Sequence, residues 1–234
     1  MPNDLKMTSS EVFSPSRFRF GVDRFWFWAA LGVAALILGC IALFPLQAEV
    51  FNQEGGLIET ISAAGLFTAG VVALVKYRGL ARLYIGVGCL LLAERELEAD
   101  IYAEGSVPFA VLSGLDSLLD MTLVRVALAI VVLGGVLWHG IPNAWRAVRV
   151  QAPFLAIFVL AGLAAVVAQG IEEISGLYEA TMSSVMKTRL FVLEETLEMY
   201  FSIGILASVL IGWPKEPTDE SLHDPDSARG EHPR

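Results

Sequence analysis

The sequence predicts an all-α, polytopic membrane protein: a bundle of six transmembrane helices with both termini in the cytoplasm. Three observations predict it. The 234-residue chain is 55% hydrophobic with a mean hydropathy of +0.62, too apolar for an ordinary soluble domain. Its apolar residues gather in six runs near 25–46, 57–75, 83–102, 121–140, 152–171 and 191–213, each close to the roughly 20 residues a helix needs to cross the hydrocarbon core. Its basic residues sort by connection. Lys6, Arg17, Arg19 and Arg24 precede the first run, and Lys76, Arg78 and Arg82 join the second to the third. Arg146 and Arg149 join the fourth to the fifth, and Lys215, Arg229 and Arg234 follow the last. Twelve of the 16 basic residues therefore fall on one side of an alternating bundle, which the positive-inside rule makes cytoplasmic. The expected location is the bacterial inner membrane, as a multi-pass protein.

Each element has its own signal. The polar arm 1–24 leads into Phe25 to Leu46 without a convincing small-residue cleavage site after it, so the first run reads as an uncleaved signal anchor. The second opens Gly56-Leu57-Ile58-Glu59, which puts Glu59 about one turn inside the membrane, with Glu54 near a flexible Gly pair. The third ends Leu92-Ala93-Glu94-Arg95-Glu96-Leu97-Glu98-Ala99-Asp100. A longer connection, Ala103 to Asp120, holds Gly105, Pro108 and an apolar patch from Val107 to Leu112, expected as a half-helix in the interface. Arg125 lies one turn into the fourth run. The fifth closes Gln169-Gly170-Ile171-Glu172-Glu173 and is joined by Glu172 to Leu190 to the sixth. That last run begins Leu193-Glu194-Glu195-Thr196-Leu197-Glu198 and continues apolar to Trp213. The membrane domain thus spans 25–213. The tail 214–234 is polar and Pro-rich, expected to be disordered, and carries His223 and His232. Cys40 and Cys89 sit in apolar helices and read as small buried hydrophobes rather than as a disulfide or metal ligands.

The chemistry lies in the acids. Of the 25 Asp and Glu residues, 16 fall on the exterior side against only Arg95, Arg125, Lys187 and Arg189. An acidic face of this kind attracts cations and argues against nucleic acid as a partner. Acids in exported loops are harmless to topology, so most need no explanation. Those at membrane depth do, because a charge inside a membrane helix is costly and is by default a candidate for ion or proton handling. Glu198 is the deepest, roughly 20 Å from the Trp213 end at about 1.5 Å per residue. Glu194 and Glu198 share a helical face, and Glu94 and Glu98 share another, while Glu195 points about 100° away from its neighbour.

Glu59, Glu94, Glu98, Glu172, Glu194 and Glu198 are therefore expected at one depth, with Arg95 and Arg125 as internal counter-ions. Like charges at such spacing require a cation, a proton or an Arg. An oxygen-only shell suits a hard divalent cation, Ca²⁺, Mg²⁺ or Mn²⁺, better than Zn²⁺, and no His lies on this side. His139 is at the opposite end of the fourth run and reads as an interfacial polar residue. Three readings follow. The chain binds or transports a cation or protons; it is a membrane-embedded enzyme acting on a lipid or lipid-linked substrate; or the acids and arginines form a packing network that binds nothing. No His trio of a ceramidase-like zinc hydrolase, spaced-Asp prenyltransferase motif, phosphate loop or nucleophile elbow is present.

Three short motifs, Gly56-Leu57-Ile58-Glu59, Arg95-Glu96-Leu97-Glu98 and Glu194-Glu195-Thr196-Leu197-Glu198, resemble those of a loosely defined group of uncharacterised bacterial multi-pass membrane proteins. In that group an Asp-Trp follows the Arg-Glu-Leu and a Lys…Asp pair marks the fifth helix. This chain has Glu98-Ala99 and Gln169…Glu172 there. The resemblance implies a helical membrane bundle and brings no activity with it.

Overall fold

The computed structural model describes residues 24–51, 56–77, 79–97 and 99–212. The arm before residue 24 and the tail from residue 213, with His223 and His232, lie outside the described residues, as do Glu54, Arg78 and Glu98. Among the described residues the chain is helical, with no strand.

The first helix, α1 (Arg24–Leu43), breaks at Phe44-Pro45 into α2 (Pro45–Ala48) and a 3₁₀ turn, Glu49–Phe51, the two parts bent by 111°. Pro45 lacks an N–H and its ring clashes with the carbonyl four residues back, so a straight continuation is closed to it. Next come α3 (Leu57–Lys76) and α4 (Leu80–Arg95), then a 3₁₀ turn at Ala99–Ile101. The expected half-helix is α5 (Val107–Leu119), whose Ser106 cap accepts the Phe109 N–H at 3.3 Å. A single long element follows: α6 (Thr122–Gly135), a π-helical turn at Val136–Gly140, and α7 (Ile141–Val150). Pro142 accounts for that turn. It cannot donate to Trp138, and the Ile141 N–H reaches back five residues to the Val136 carbonyl instead. Last come α8 (Leu155–Tyr178) and α9 (Ser184–Ile211), the latter capped by Ser183, which accepts the Met186 N–H.

Among the described residues three helices are long and apolar enough to cross a membrane: Leu57–Lys76, Thr122–Val150 and Leu155–Tyr178. The bent pair around Pro45 makes a fourth if it counts as one span. The other two expected spans differ for physical reasons. With 16 residues, α4 is about 24 Å long, and carries Arg82, Glu94 and Arg95. It stops at Arg95 rather than near residue 102 because Glu94, Glu96 and Glu98 would crowd acid at the negative end of the helix dipole. With 28 residues, α9 is long enough, but its acid-free apolar stretch runs only from Met199 to Ile211, with Glu194, Glu195 and Glu198 just before it. The fifth and sixth runs also reach further than expected, so the exterior connection Glu172 to Leu190 shrinks to residues 179–183.

Helices in a bilayer gain nothing from burying apolar surface against lipid, so they pack where small residues let backbones approach. Here α9 lies against both α8 and α3, and α3 against α4. Gly65 of α3 faces Ser202 of α9, and the Ser62 and Ser202 hydroxyls meet at 2.7 Å in a fully buried contact. Ser202 also donates to the Glu198 carbonyl at 3.0 Å, which makes Ser62 the donor between the two. Gly70 and Gly86 bring α3 and α4 together, and Gly204 of α9 sits on Ala161 of α8. Ala69, Ala73, Cys89 and Val209 form a small core. Cys40, expected to be buried, is exposed on α1: that helix touches the bundle lightly, chiefly through α9, where Tyr200 donates to the Ala34 carbonyl at 3.0 Å.

α3 and α9 run parallel, meeting at Ser62 with Ser202 and again at Lys76 with Val209, while α4 returns against α3 and α8 against α9, so the bundle has two unlike ends. At one, Lys76 Nζ donates to the Val209 and Leu210 carbonyls (3.2 and 2.5 Å), and the Tyr77 hydroxyl donates to Val209 at 2.8 Å. Burial raises the Tyr77 phenol above its usual value against an opposing pull from Arg82, so it remains a donor at physiological pH. The other end carries the acids.

A Cβ on Gly204 would stand 2.6 Å from that of Ala161, whereas one on Gly162 meets nothing within 4 Å. Gly204→Val is therefore expected to destabilise the protein by about 1–3 kcal/mol in detergent, and Gly162→Val to change little. Equal melting shifts for the two variants would show that this helix contact does not hold the bundle.

Candidate functional site

The site is built by four helix ends. Near the start of α3, Glu59 lies three residues before the Ser62 contact; Glu194, Glu195 and Glu198 lie on α9 just before its partner Ser202. Arg95 closes α4, with Glu96 as the residue that ends it, and Glu172 lies near the end of α8. Together Glu59, Arg95, Glu96, Glu172, Glu194, Glu195 and Glu198 line an open polar cavity of about 180 Å³.

Within it Arg95 approaches Glu198 at 3.4 Å, with the Arg side chain 62% exposed and the Glu 23%. Gln169 donates to Glu172 at 2.6 Å. Glu195 feels the charges of Glu59, Glu96, Glu194 and Glu198, and Glu194 those of Glu172 and Glu198. Both flanks of this part of α9 thus look into the cavity, because α8 lies on one side of the helix and α3 on the other.

Of the residues singled out in the sequence, Glu59, Glu172, Glu194, Glu198 and Arg95 share this cavity. Glu94 does not: it turns towards α5, where its carboxyl faces Asp116 and feels the charge of Asp120. Glu98 lies outside the described residues. Arg125 is also elsewhere, paired with Asp120 and donating to the Leu119 carbonyl at 2.8 Å, on an exposed surface. Depth along the helix put it level with the acids, but only packing decides which neighbour it meets. Two lining residues, Glu96 and Glu195, were not among the sequence candidates. Helical-face reasoning set Glu195 aside, and it grouped Glu94 with Glu98 across a helix end that comes at Arg95. Further out, Lys187 pairs with Glu179 at 3.4 Å.

Six carboxylates and one guanidinium are thus set around a small water-accessible volume. Such a set can carry protons, hold a hydrated cation or attract a cationic group. Among the described residues no group of three or more His, Cys, Asp or Glu side chains is close enough to hold a metal ion. No protein family, curated protein or solved structure matches this chain.

Two outcomes follow from the pairings. Arg95→Gln is expected to lower stability by about 1 kcal/mol or less, since the Arg side chain is largely exposed, and Glu195→Gln added to it should recover part of the loss by removing one like charge. Arg125→Leu should couple in a double-mutant cycle with Asp120→Asn and be additive with Glu59→Gln and Glu198→Gln. Thermal unfolding of the purified variants reads both; coupling of Arg125 to the cavity acids would contradict the arrangement.

Proposed function

We propose that this is a multi-pass protein of a bacterial inner membrane that takes up protons or cations into the acid cavity at its exterior face. One observation carries the reading: six Glu residues share the cavity wall with a single Arg. Like charges gathered around one small cavity repel one another, and a mobile positive charge relieves that repulsion. With no group of three such side chains close enough to hold a metal ion among the described residues, protons or a hydrated cation suit the cavity better than a stripped Ca²⁺, Mg²⁺ or Mn²⁺ ion. The same surplus speaks against a purely structural ion-pair network, in which acids and bases would come closer to balance. An enzyme acting on a lipid-linked substrate would use the same wall, with Arg95 and Glu198 at the reacting group; bound lipid headgroup in the cavity would favour it.

In this proposal all six helices of the sequence reading span the bilayer, α4 and α9 included, with their charged ends at the exterior surface. The end carrying Lys76, Arg82, Arg146 and Arg149 faces the cytoplasm by the positive-inside rule, as do both termini. Cysteines introduced at Lys76 and Ser183 are expected to react with an impermeant probe from opposite sides. Labelling from the same side would overturn the topology.

The ion reading is tested by melting the protein in detergent against pH and salt. Protons and cations both relieve the repulsion, so stability should rise as either is added, by mass action. Glu195→Gln and Glu198→Gln should start higher and respond less. A melting temperature independent of pH and of Na⁺, K⁺, Mg²⁺ and Ca²⁺ alike, in the wild type and both variants, would remove the proposal.

A further inference from the structure

The long element made of α6, the π turn and α7 is longer than one upright crossing needs. Its 29 residues measure about 43 Å at 1.5 Å per residue, against a hydrocarbon core of about 30 Å. The excess, about 13 Å, is close to the length of α7, and α7 is also where the composition changes. Up to Gly135 the helix has no buried residue and only one charge, Arg125, near its start. Beyond the π turn, α7 is amphipathic: Ile141, Trp145 and Val148 are exposed on one side with Trp138 of the π turn in line, while Ala147 is fully buried. Arg146 and Arg149 lie on this short helix with no ion pair to an acid among the described residues, and the Arg149 guanidinium stacks over the Trp145 ring, 5.2 Å from its centre. Trp138 and Trp145 are 80% and 61% exposed, as expected of aromatic side chains set at headgroup level.

We infer that α7 is an interfacial element whose Arg146 and Arg149, held beside the exposed Trp145, bind the phosphate of an anionic phospholipid. The apolar stripe seats in the acyl boundary, and the stacked guanidinium is presented at the level where lipid phosphates lie. The π turn is what allows this. By letting the Ile141 N–H skip to Val136, it adds one residue to the turn without breaking the element and so shifts the faces of α7 around the helix axis, setting the direction in which its basic residues emerge. The complement is electrostatic: among the described residues this end of the bundle presents Lys76, Arg82, Arg146 and Arg149, and the carboxylates gather at the other. The inference does not depend on what the acid cavity binds.

The test uses the full chain in detergent micelles containing phosphatidylglycerol or phosphatidylcholine. Native mass spectrometry from an equimolar mixture of the two is expected to show phosphatidylglycerol retained in preference, by about fivefold for each Arg engaged. Melting temperature should rise more with phosphatidylglycerol than with phosphatidylcholine, and the difference should shrink in high salt. Arg146→Gln/Arg149→Gln should abolish most of that difference while melting like the wild type in phosphatidylcholine. Equal retention of the two lipids by the wild type would overturn the inference, as would a preference that survives in the double variant. Should the double variant fail to fold, the wild-type retention ratio decides alone. Efficient disulfide crosslinking of Trp145→Cys between chains in phosphatidylglycerol would show that a second copy covers the stripe, and would also overturn it.

Discussion

The contact between the Ser62 and Ser202 hydroxyls, 2.7 Å apart in the crossing of α3 and α9, is the constraint on which the rest of the acidic end depends. Gly65 faces Ser202 at the same crossing. A hydroxyl pair has no water to turn to at that depth, so the crossing has a fixed register as well as a fixed distance. Glu59 stands one turn before Ser62, and Glu198 one turn before Ser202. Setting the serines opposite one another therefore sets the carboxylates opposite one another, and Glu195, a further turn back-set on α9, falls between α3 and the end of α4.

The remaining packing makes this arrangement hard to relax. Gly204 against Ala161 holds α9 to α8, which brings Glu172 to the same cavity as Glu59. Gly70 and Gly86 hold α3 to α4, which brings Arg95 within 3.4 Å of Glu198. At the far end, Lys76 and Tyr77 satisfy the last carbonyls of α9, groups that a helix C-terminus otherwise leaves to water. The basic side chains there complement the negative end of the α9 dipole, and the acids of α9 lie towards its positive end. The charge separation along the bundle is thus consistent with the direction of its most packed helix. At the ends of α4, α5 and α8, where Glu94, Asp116 and Glu172 lie, acids meet the unfavourable pole instead.

Periodicity failed where a helix end intervened. Glu94 and Glu98 share a face only if the helix continues past Arg95, and it does not. Glu96, released from the helical pattern, lines the cavity, while Glu94 turns to Asp116. Depth arguments failed where lateral position mattered. Arg125 is level with the acids, but α6 contacts α4 and α5 and reaches neither α3 nor α9 in any substantial way; its partner is Asp120, five residues before it.

What the sequence determined by itself is what depends on composition and on one-dimensional order: a helical, membrane-type chain, the apolar runs, the sorting of basic and acidic residues to opposite ends, and the level at which Glu59, Glu172, Glu194 and Glu198 lie. Each follows from rise per residue and from the cost of charge in hydrocarbon, which are local quantities. The tertiary structure decided which of those acids meet, that Glu195 and Glu96 join them, and that Arg95 rather than Arg125 stands among them. Those outcomes rest on interhelical rotation and register, set by contacts such as Ser62 with Ser202 and Gly204 with Ala161 between residues more than 40 positions apart in the chain. No window of sequence contains them.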